Sequence, residues 1–418
     1  MRLPIAASLL CLATAAPALA GSLTLIPIPP GAAGFVFNTG ISGDGKVVAG
    51  YAPGGCFYWT AETGVVYISE SAAPGNGVGG TASVSEDGTR VSCPHIGLDG
   101  KVTGSIYFPL DATWIDPPTL GSNCDITRTS GWTMSDDGLV LGGLGYQTLC
   151  GVRPIRWKQG DAAQTSLFQW FGWNARVNGT NNNGSVMVGW QAGATGTWQG
   201  CFWKFNGTSW AQTRLSTAAG VAMGEAYCVS DDGNRVFGTG NFGNATEPFI
   251  WTAANKAVSL GSSPDGYVQG FVVGTNRTGT QAAVFFRPGP TPLPVGEGYM
   301  WTEGQGYTGL EAYAASKGVA IPTGVHLAMP MDMSPDGLAI CGVARNDVDG
   351  LAYTFALDMH ATPNTCPADL NGDRIVDGAD LGLLLGNWNG TGIGDINGDG
   401  VVNGADLGLL LGAFGPCP

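Results

Sequence analysis

Ile41–Gly50 reads ISGDGKVVAG, a small polar turn set between two β-forming flanks. Asp-Gly between alternating apolar residues is a strong hairpin signal, because tight hairpin turns need φ > 0 and glycine supplies it without steric cost. The pattern returns as VSEDGTRVSC (84–93), MSDDGLVLGG (134–143), VSDDGNRVFG (229–238) and MSPDGLAICG (333–342). Two degenerate copies, TNNNGSVMVG (180–189) and TNRTGTQAAV (275–284), fall in the gaps. The turn glycines Gly45, Gly88, Gly138, Gly184, Gly233, Gly279 and Gly337 are 43, 50, 46, 49, 46 and 58 residues apart.

Each turn is followed by an aromatic-rich strand ending at Trp59, Trp114, Trp157, Trp203, Trp251, Trp301 or Phe355, and usually by a further short apolar stretch such as Val65 to Ile68. Three or four short strands repeated seven times at this spacing is the blade pattern of a β-propeller. A parallel β-solenoid is the alternative, although its coils are usually shorter. The expected fold class is therefore mainly β, a seven-bladed propeller-like domain over residues 21–360. The seventh copy lacks a fourth strand, whereas Leu23 to Pro27 (LTLIP) is a strand pattern without a hairpin of its own, so it is expected to complete the last blade. Leu310 to Gly318 reads as a short surface helix.

A second repeat occupies residues 366–418, after a linker at 361–365. DLNGDRIVDGADLGLLLGNW is followed 26 residues later by DINGDGVVNGADLGLLLGAF. Loop positions 1, 3, 5, 9 and 12 carry oxygen donors: Asp369, Asn371, Asp373, Asp377 and Asp380 in the first copy, Asp395, Asn397, Asp399, Asn403 and Asp406 in the second. Six to eight oxygens on a 12-residue loop suit Ca²⁺, with position 7 adding a backbone carbonyl, here from Ile375 and Val401, whose side chains are expected to face the core. Two calcium ions are expected, and an apolar ADLGLLLG helix follows each loop.

Composition sets outer bounds. Residues 1–20 read as a secretory signal peptide, with Arg2, an apolar stretch from Ile5 to Ala16 and a small-residue cleavage site at Ala18-Leu19-Ala20. That stretch is too short to span a bilayer, and no other segment is long enough, so an exported chain without a membrane span is expected. Charged residues are only 12% while glycine reaches 69 of 418, which suits a turn-rich β protein. A net charge of −14 argues against nucleic acid, whose phosphates need a basic face. Nine cysteines remain after cleavage; Cys366 and Cys417 bracket the paired loops and are expected to clasp them. An odd number remains, so at least one thiol stays unpaired within the chain.

Two resemblances follow from these motifs. The tail resembles a dockerin domain, type I in its loop spacing; that implies calcium binding and a cohesin-like scaffold or cell-surface partner. It departs from the family at the sixth loop position, normally glycine, where Gly400 fits and Arg374 does not. Positions 10 and 11, which carry partner-reading hydroxyls in the best-known dockerins, are Gly378 and Ala379, then Gly404 and Ala405. The upstream repeats resemble the extracellular HAF family, with FIWT (249–252) and YMWT (299–302) matching its strand motif.

Chemistry is sparse elsewhere. An aspartate repeated in every blade caps its own turn rather than forming a catalytic pair. Glu225, Glu247, Glu297 and Glu311 break the repeat and are acid candidates by elimination. His95, His326 and His360 are isolated, and neither a zinc cluster nor a triad stands out. The functional expectation is a propeller-like binding module, with carbohydrate as a possible ligand, carried by a calcium-binding tail. The alternative is a polysaccharide-degrading glycoside hydrolase, because dockerins commonly ride on such enzymes. A facing pair of carboxylates in an open pocket would favour the enzyme, and an aromatic and polar funnel without one would favour binding.

Overall fold

A computed structural model describes residues 21–27, 37–52, 55–69, 80–97, 99–118, 120, 129–146, 151–167, 174–193, 197–243, 245–289, 295–360, 366–371 and 375–417. The expected signal peptide (1–20), the linker (361–365), Asp373 and Arg374 lie outside them. The chain divides into a unit of Ser22–His360 and a unit holding Ala361–Pro418.

The larger unit is a β-propeller. Its strands form four-stranded antiparallel groups in chain order, which we call blades. Blade 1 is Phe37–Ile41, Val48–Ala52, Gly55–Thr60 and Gly64–Tyr67; blade 2 is Ser83–Val84, Val91–Ile96, Val102–Phe108 and Thr113–Ile115. Blade 3 is Thr129–Met134, Val140–Tyr146, Val152–Lys158 and Thr165–Ser166; blade 4 is Ala175–Thr180, Val186–Ala192, Trp198–Phe205 and Trp210–Arg214. Blade 5 is Glu225–Val229, Val236–Asn241, Thr246–Thr252 and Lys256–Ser259; blade 6 is Gln269–Thr275, Gln281–Arg287, Glu297–Thr302 and Gly306–Gly309. These last two share one parallel bridge, Thr246 with Gln269. The final group takes Val325–Met333, Ala339–Asn346 and Leu351–Asp358 from the end of the unit and Ser22–Pro27 from its beginning. The orphan N-terminal strand therefore completes the last blade, as its sequence pattern predicts. Neighbouring first strands pack in succession, and the first strand of the last blade packs on that of blade 1, closing the ring.

The hairpin turns explain the repeat. In Ser-Xaa-Asp-Gly the serine hydroxyl donates to the aspartate two residues on, at 2.6 Å for Ser85–Asp87, Ser230–Asp232 and Ser334–Asp336. The aspartate accepts an N–H two residues later and the serine oxygen one five residues later, as in Asn234 N to Asp232 (2.9 Å) and Arg235 N to Ser230 (3.1 Å). The Ser230 hydroxyl and the Asn234 N–H hold the Asp232 carboxyl below its ordinary pKa. In the degenerate copies an asparagine replaces the serine and reaches both N–H groups: Asn181 Oδ1 accepts from Ser185 N and Val186 N, both at 2.9 Å, with Asn183 Oδ1, at the aspartate position, sharing Ser185 N at 3.0 Å. Asn276 Oδ1 accepts from Thr280 N (2.9 Å) and Gln281 N (3.1 Å). The turn glycine sits at φ 69–79° in all seven copies, where a side chain is strained.

Third-strand aromatics form the core between blades. Trp203 and Phe355 are fully buried, and Trp157, Trp251 and Trp301 nearly so. Helix α1 (Leu310–Ser316) buries Leu310, Tyr313 and Ala314. A Cys56–Cys93 disulfide joins blades 1 and 2. Cys201 and Cys228 remain thiols, and burial pushes both well above their ordinary pKa. No described helix is long and apolar enough to cross a membrane.

In the smaller unit, helices α2 (Gly378–Gly386) and α3 (Gly404–Gly412) each follow a loop, and Cys366 pairs with Cys417 as expected. Val376, Leu384, Val402 and Leu410 form the core with Cys366 and Ala368. The two copies interlock. Val376 pairs with Gly415, beyond the second helix, while Asn389, beyond the first, donates to the Val402 carbonyl (2.9 Å) and Val402 N donates to Gly390 (2.9 Å).

Candidate functional site

The ring surrounds a channel of about 500 Å³ lined mainly by the first strands. At the hairpin end, residues at the second position of the turns, between serine and aspartate or, for Arg277, between Asn276 and Thr278, form a collar. Gly43 N donates to Glu86 O (2.8 Å), Glu86 N to Asp136 O (2.8 Å), Asp231 N to Arg277 O (2.8 Å) and Arg277 N to Pro335 O (2.7 Å). Arg277 spans the collar, ion-paired with Glu86 and lying 3.3 Å from Asp231 and 3.7 Å from Asp136. Burial, then repulsion from Asp231 and Glu86, pushes the Asp136 carboxyl up to about 7, with Arg277 opposing. Asp332, raised to about 7 chiefly by burial, accepts N–H bonds from Ile41 (3.1 Å) and Met333 (2.9 Å), tying the last blade to blade 1.

The opposite end is set by residues at the starts of first strands and the ends of second strands. The Arg176 guanidinium lies 3.6 Å from the centroid of Trp132 and 3.3 Å from the Glu225 carboxylate. Asn178 Nδ2 donates to Glu225 (3.1 Å), and Tyr227 lines the channel beside them. Burial raises Glu225 above its ordinary pKa, with Arg176 opposing, and raises Tyr227 as well. Beyond Tyr227, Arg287 lies over Phe271 at 4.9 Å, and Phe271 stacks on Phe285 at 5.0 Å. The channel thus has an aromatic and polar wall, and its collar carboxylates Glu86, Asp136 and Asp231 converge on an arginine instead of facing each other.

The acids chosen by elimination are also engaged. Ser259 and Ser262 donate to Glu247, the latter at 2.7 Å. Glu297 pairs with Arg345 (2.7 Å), and Glu311 accepts from Leu327 N (2.7 Å). Glu297, Glu311 and His326 come together, with ligand atoms within 4.8 Å of one another, which their scattered positions concealed. His326 also faces Asp347 at 3.1 Å. His95 stacks on Trp114 at 4.0 Å and meets Asp116 Oδ1 at 2.7 Å; Ser105 donates to the same oxygen at 2.8 Å. Here the acid lies between serine and histidine, which is not the order of a nucleophilic triad.

In the tail, both loops place their position-12 aspartates identically. Asp380 Oδ1 accepts from Leu370 N (2.8 Å) and Asn371 N (3.1 Å), and Oδ2 from Asp377 N (2.8 Å). Asp406 repeats this with Ile396 N (2.9 Å), Asn397 N (3.1 Å) and Asn403 N (2.8 Å). Asp377 and Asn403 cap the helices by accepting from Ala379 N and Ala405 N, both at 2.7 Å. Asp395 accepts from Asp399 N (3.1 Å) and Gly400 N (2.9 Å), and Asn397 Oδ1 accepts from Asp399 N (2.9 Å). These are oxygen donors suited to a hard cation, held by the loop's own N–H groups. Asp369 is buried and Asn371 half-buried. One expectation is corrected: Ile375 and Val401 are 47% and 45% exposed, and the core side chains are the next residues, Val376 and Val402. The chain turns position 8 inward because that residue pairs with the segment beyond the other helix.

No family model matches the chain, and no curated protein is similar to it. Among solved structures it is similar to the beta-propeller domain of Cps50 (Swd1) from Myceliophteria thermophila, at 10% identity over 82% of this chain and 100% of that one, TM-score 0.48. It is likewise similar to the beta-propeller domain of the Trilobed protease from Pyrococcus furiosus, described as having an open velcro topology (9% identity, 78% and 95% covered, TM-score 0.49). A third is oligogalacturonate lyase from Vibrio parahaemolyticus (12% identity, 84% and 99% covered, TM-score 0.49).

Proposed function

We propose that this is an exported protein in which a seven-bladed propeller acts as a carbohydrate-binding module. In this reading a dockerin-like tail, organised by two Ca²⁺ ions, fastens it to a cohesin-like scaffold or cell-surface partner. The observation that supports the tail's role is its duplication down to individual hydrogen bonds. Asp380 and Asp406 each collect three backbone N–H groups at the same loop positions, beside side chains that offer only oxygen and amide donors. Asp369, Asn371, Asp373, Asp377 and Asp380, with the carbonyl of Ile375, would hold one ion; Asp395, Asn397, Asp399, Asn403 and Asp406, with that of Val401, the other. For the propeller, an aromatic and arginine-lined channel whose carboxylates are already engaged by arginine or by backbone N–H groups favours binding over glycoside hydrolysis.

Calorimetric titration of the full chain with calcium chloride is the direct test. Two bound ions are expected, with helical signal lost on chelation and recovered on recalcification. Asp369→Ala with Asp395→Ala should abolish the heat. No calcium heat and no chelator effect on the helical signal would overturn the reading.

A further inference from the structure

The arginines of this acidic chain are mostly paired. Arg90, Arg156, Arg176, Arg235, Arg277 and Arg345 each have a carboxylate within 4.0 Å. Arg287, which lines the channel, has none among the described residues. Its Nε donates to Gln269 Oε1 at 3.1 Å, which fixes the guanidinium plane, and its face rests on Phe271. The channel's neighbouring arginine, Arg176, is neutralised by Glu225, which also accepts from Asn178. The two η-nitrogens of Arg287 are thus left as a preoriented fork beside an aromatic wall, in a half-buried place where water screens poorly. A guanidinium stays charged there, and a carboxylate matches its fork in a bidentate pair.

We propose that this end of the channel is a subsite for a carboxylate-bearing sugar ring, with Arg287 taking the carboxylate and the Phe271–Tyr227 wall taking the ring. The assignment rests on the propeller being a carbohydrate-binding module and narrows it to uronic-acid sugars. A saturated ring offers C–H faces to an aromatic side chain, and the carboxylate replaces the anion that the fold does not supply. Arg277 cannot serve in this way, because three acids already surround it.

The test uses the full chain in chelator, so that calcium does not cross-link acidic polymers. Matched oligosaccharides are compared by calorimetry: those of mannuronate, glucuronate and galacturonate against those of mannose, glucose and galactose. At least one uronate series is expected to bind ten-fold or more tightly than its uncharged match. Arg287→Gln should erase that preference and Arg287→Lys should keep part of it, with unchanged melting curves showing that both fold. Arg345→Gln, which alters a paired arginine, should leave binding unchanged. Binding of the uncharged series with no uronate preference overturns this subsite while the carbohydrate reading stands. No binding of either series overturns both. Uronate binding that survives Arg287→Gln, or that equimolar acetate displaces as well as the free uronate does, overturns the assignment to Arg287 or to a sugar.

Discussion

Leu25 lies opposite Phe355 in the antiparallel pair that joins the two ends of the propeller unit. The next residue, Ile26, is 1% exposed and packs with Ile41, Val48, Ala339 and Cys341, so one short strand bonds to the last blade and fills the seam with blade 1. Deleting Ser22–Pro27 should bare the edge of Leu351–Asp358 and produce soluble aggregates by light scattering. Ile26→Ala should cost about 2–5 kcal/mol by urea denaturation, the usual range for a large aliphatic side chain removed from a core. A monomeric deletion variant of unchanged stability would refute the closure role.

Asn276 carries in one oxygen what Ser230 and Asp232 share elsewhere. Asn276→Ala leaves the Thr280 and Gln281 N–H groups without their acceptor, at a cost of about 1–3 kcal/mol. Asn276→Ser alone should recover little, because Thr278 stands where the Ser-Xaa-Asp-Gly turns have aspartate. Asn276→Ser with Thr278→Asp should recover most of the loss. Denaturation midpoints of the three variants decide the point, and equal losses in all three would contradict the equivalence.

The seven hairpins were legible because a tight turn is a local event: glycine and a short acceptor must stand at fixed offsets, and Asn181 and Asn276 meet that need even in degraded copies. The terminal strand was legible from the count of strands per repeat. The channel was not. Its first strands carry bulges between Gly131 and Thr133, Val177 and Gly179, Ala226 and Cys228, and Val272 and Gly274. Each bulge breaks the two-residue alternation, so Trp132, Tyr227 and Phe271 could not be assigned to the axis from spacing. The third-strand tryptophans drew attention instead, and they are core. The collar escaped for a related reason: the residue between serine and aspartate does nothing for its own turn and bonds to the next blade.

Asp136 should make stability depend on pH. Its carboxyl titrates near about 7 when folded, against an ordinary value of 3.8, because burial and the charges of Asp231 and Glu86 outweigh Arg277. Between those values the folded protein binds more protons than the unfolded chain, so this group's contribution falls as pH rises from about 4 to about 7. Asp136→Asn removes the titration. Urea midpoints should show the variant gaining on the wild type from about pH 5 to about pH 8. A difference that is constant or shrinks with pH would rule out this role.

His360 works with the opposite sign, from the edge of the last blade. Burial opposes its charged form, but Asp336 (2.7 Å) and Asp358 (2.6 Å) prevail and raise the imidazole pKa above 6.5. The stability it contributes is fully present below about 6.5 and is lost as pH rises through the folded value. His360→Ala should therefore lower the melting temperature at about pH 6 and do little at about pH 9. Equal effects at both would show that the ring acts by packing alone.

The pairing of Val376 with Gly415, and of Val402 with Asn389 and Gly390, bears on the proposed calcium loops, because each loop's exit strand is held by the segment beyond the other helix. An ion that orders one loop then orders part of the frame of its twin, so the two sites should bind with positive coupling. They should also be unequal. Gly400 takes φ 89°, a conformation that costs a side chain on the order of 1 kcal/mol, and Arg374 holds the matching position in the first loop. The first loop has the greater charge, with four aspartates to three, but its empty form also suffers the greater repulsion. The second loop, Asp395 to Asp406, should therefore be the tighter site. Arg374→Gly should tighten the first site, while Asp395→Ala should remove the second and weaken the first by more than a reading of independent loops allows. Titration calorimetry of the three full-length proteins separates these effects. Identical first-site affinity in the wild type and Asp395→Ala would dismiss the coupling, and an unchanged Arg374→Gly titration would dismiss the inequality.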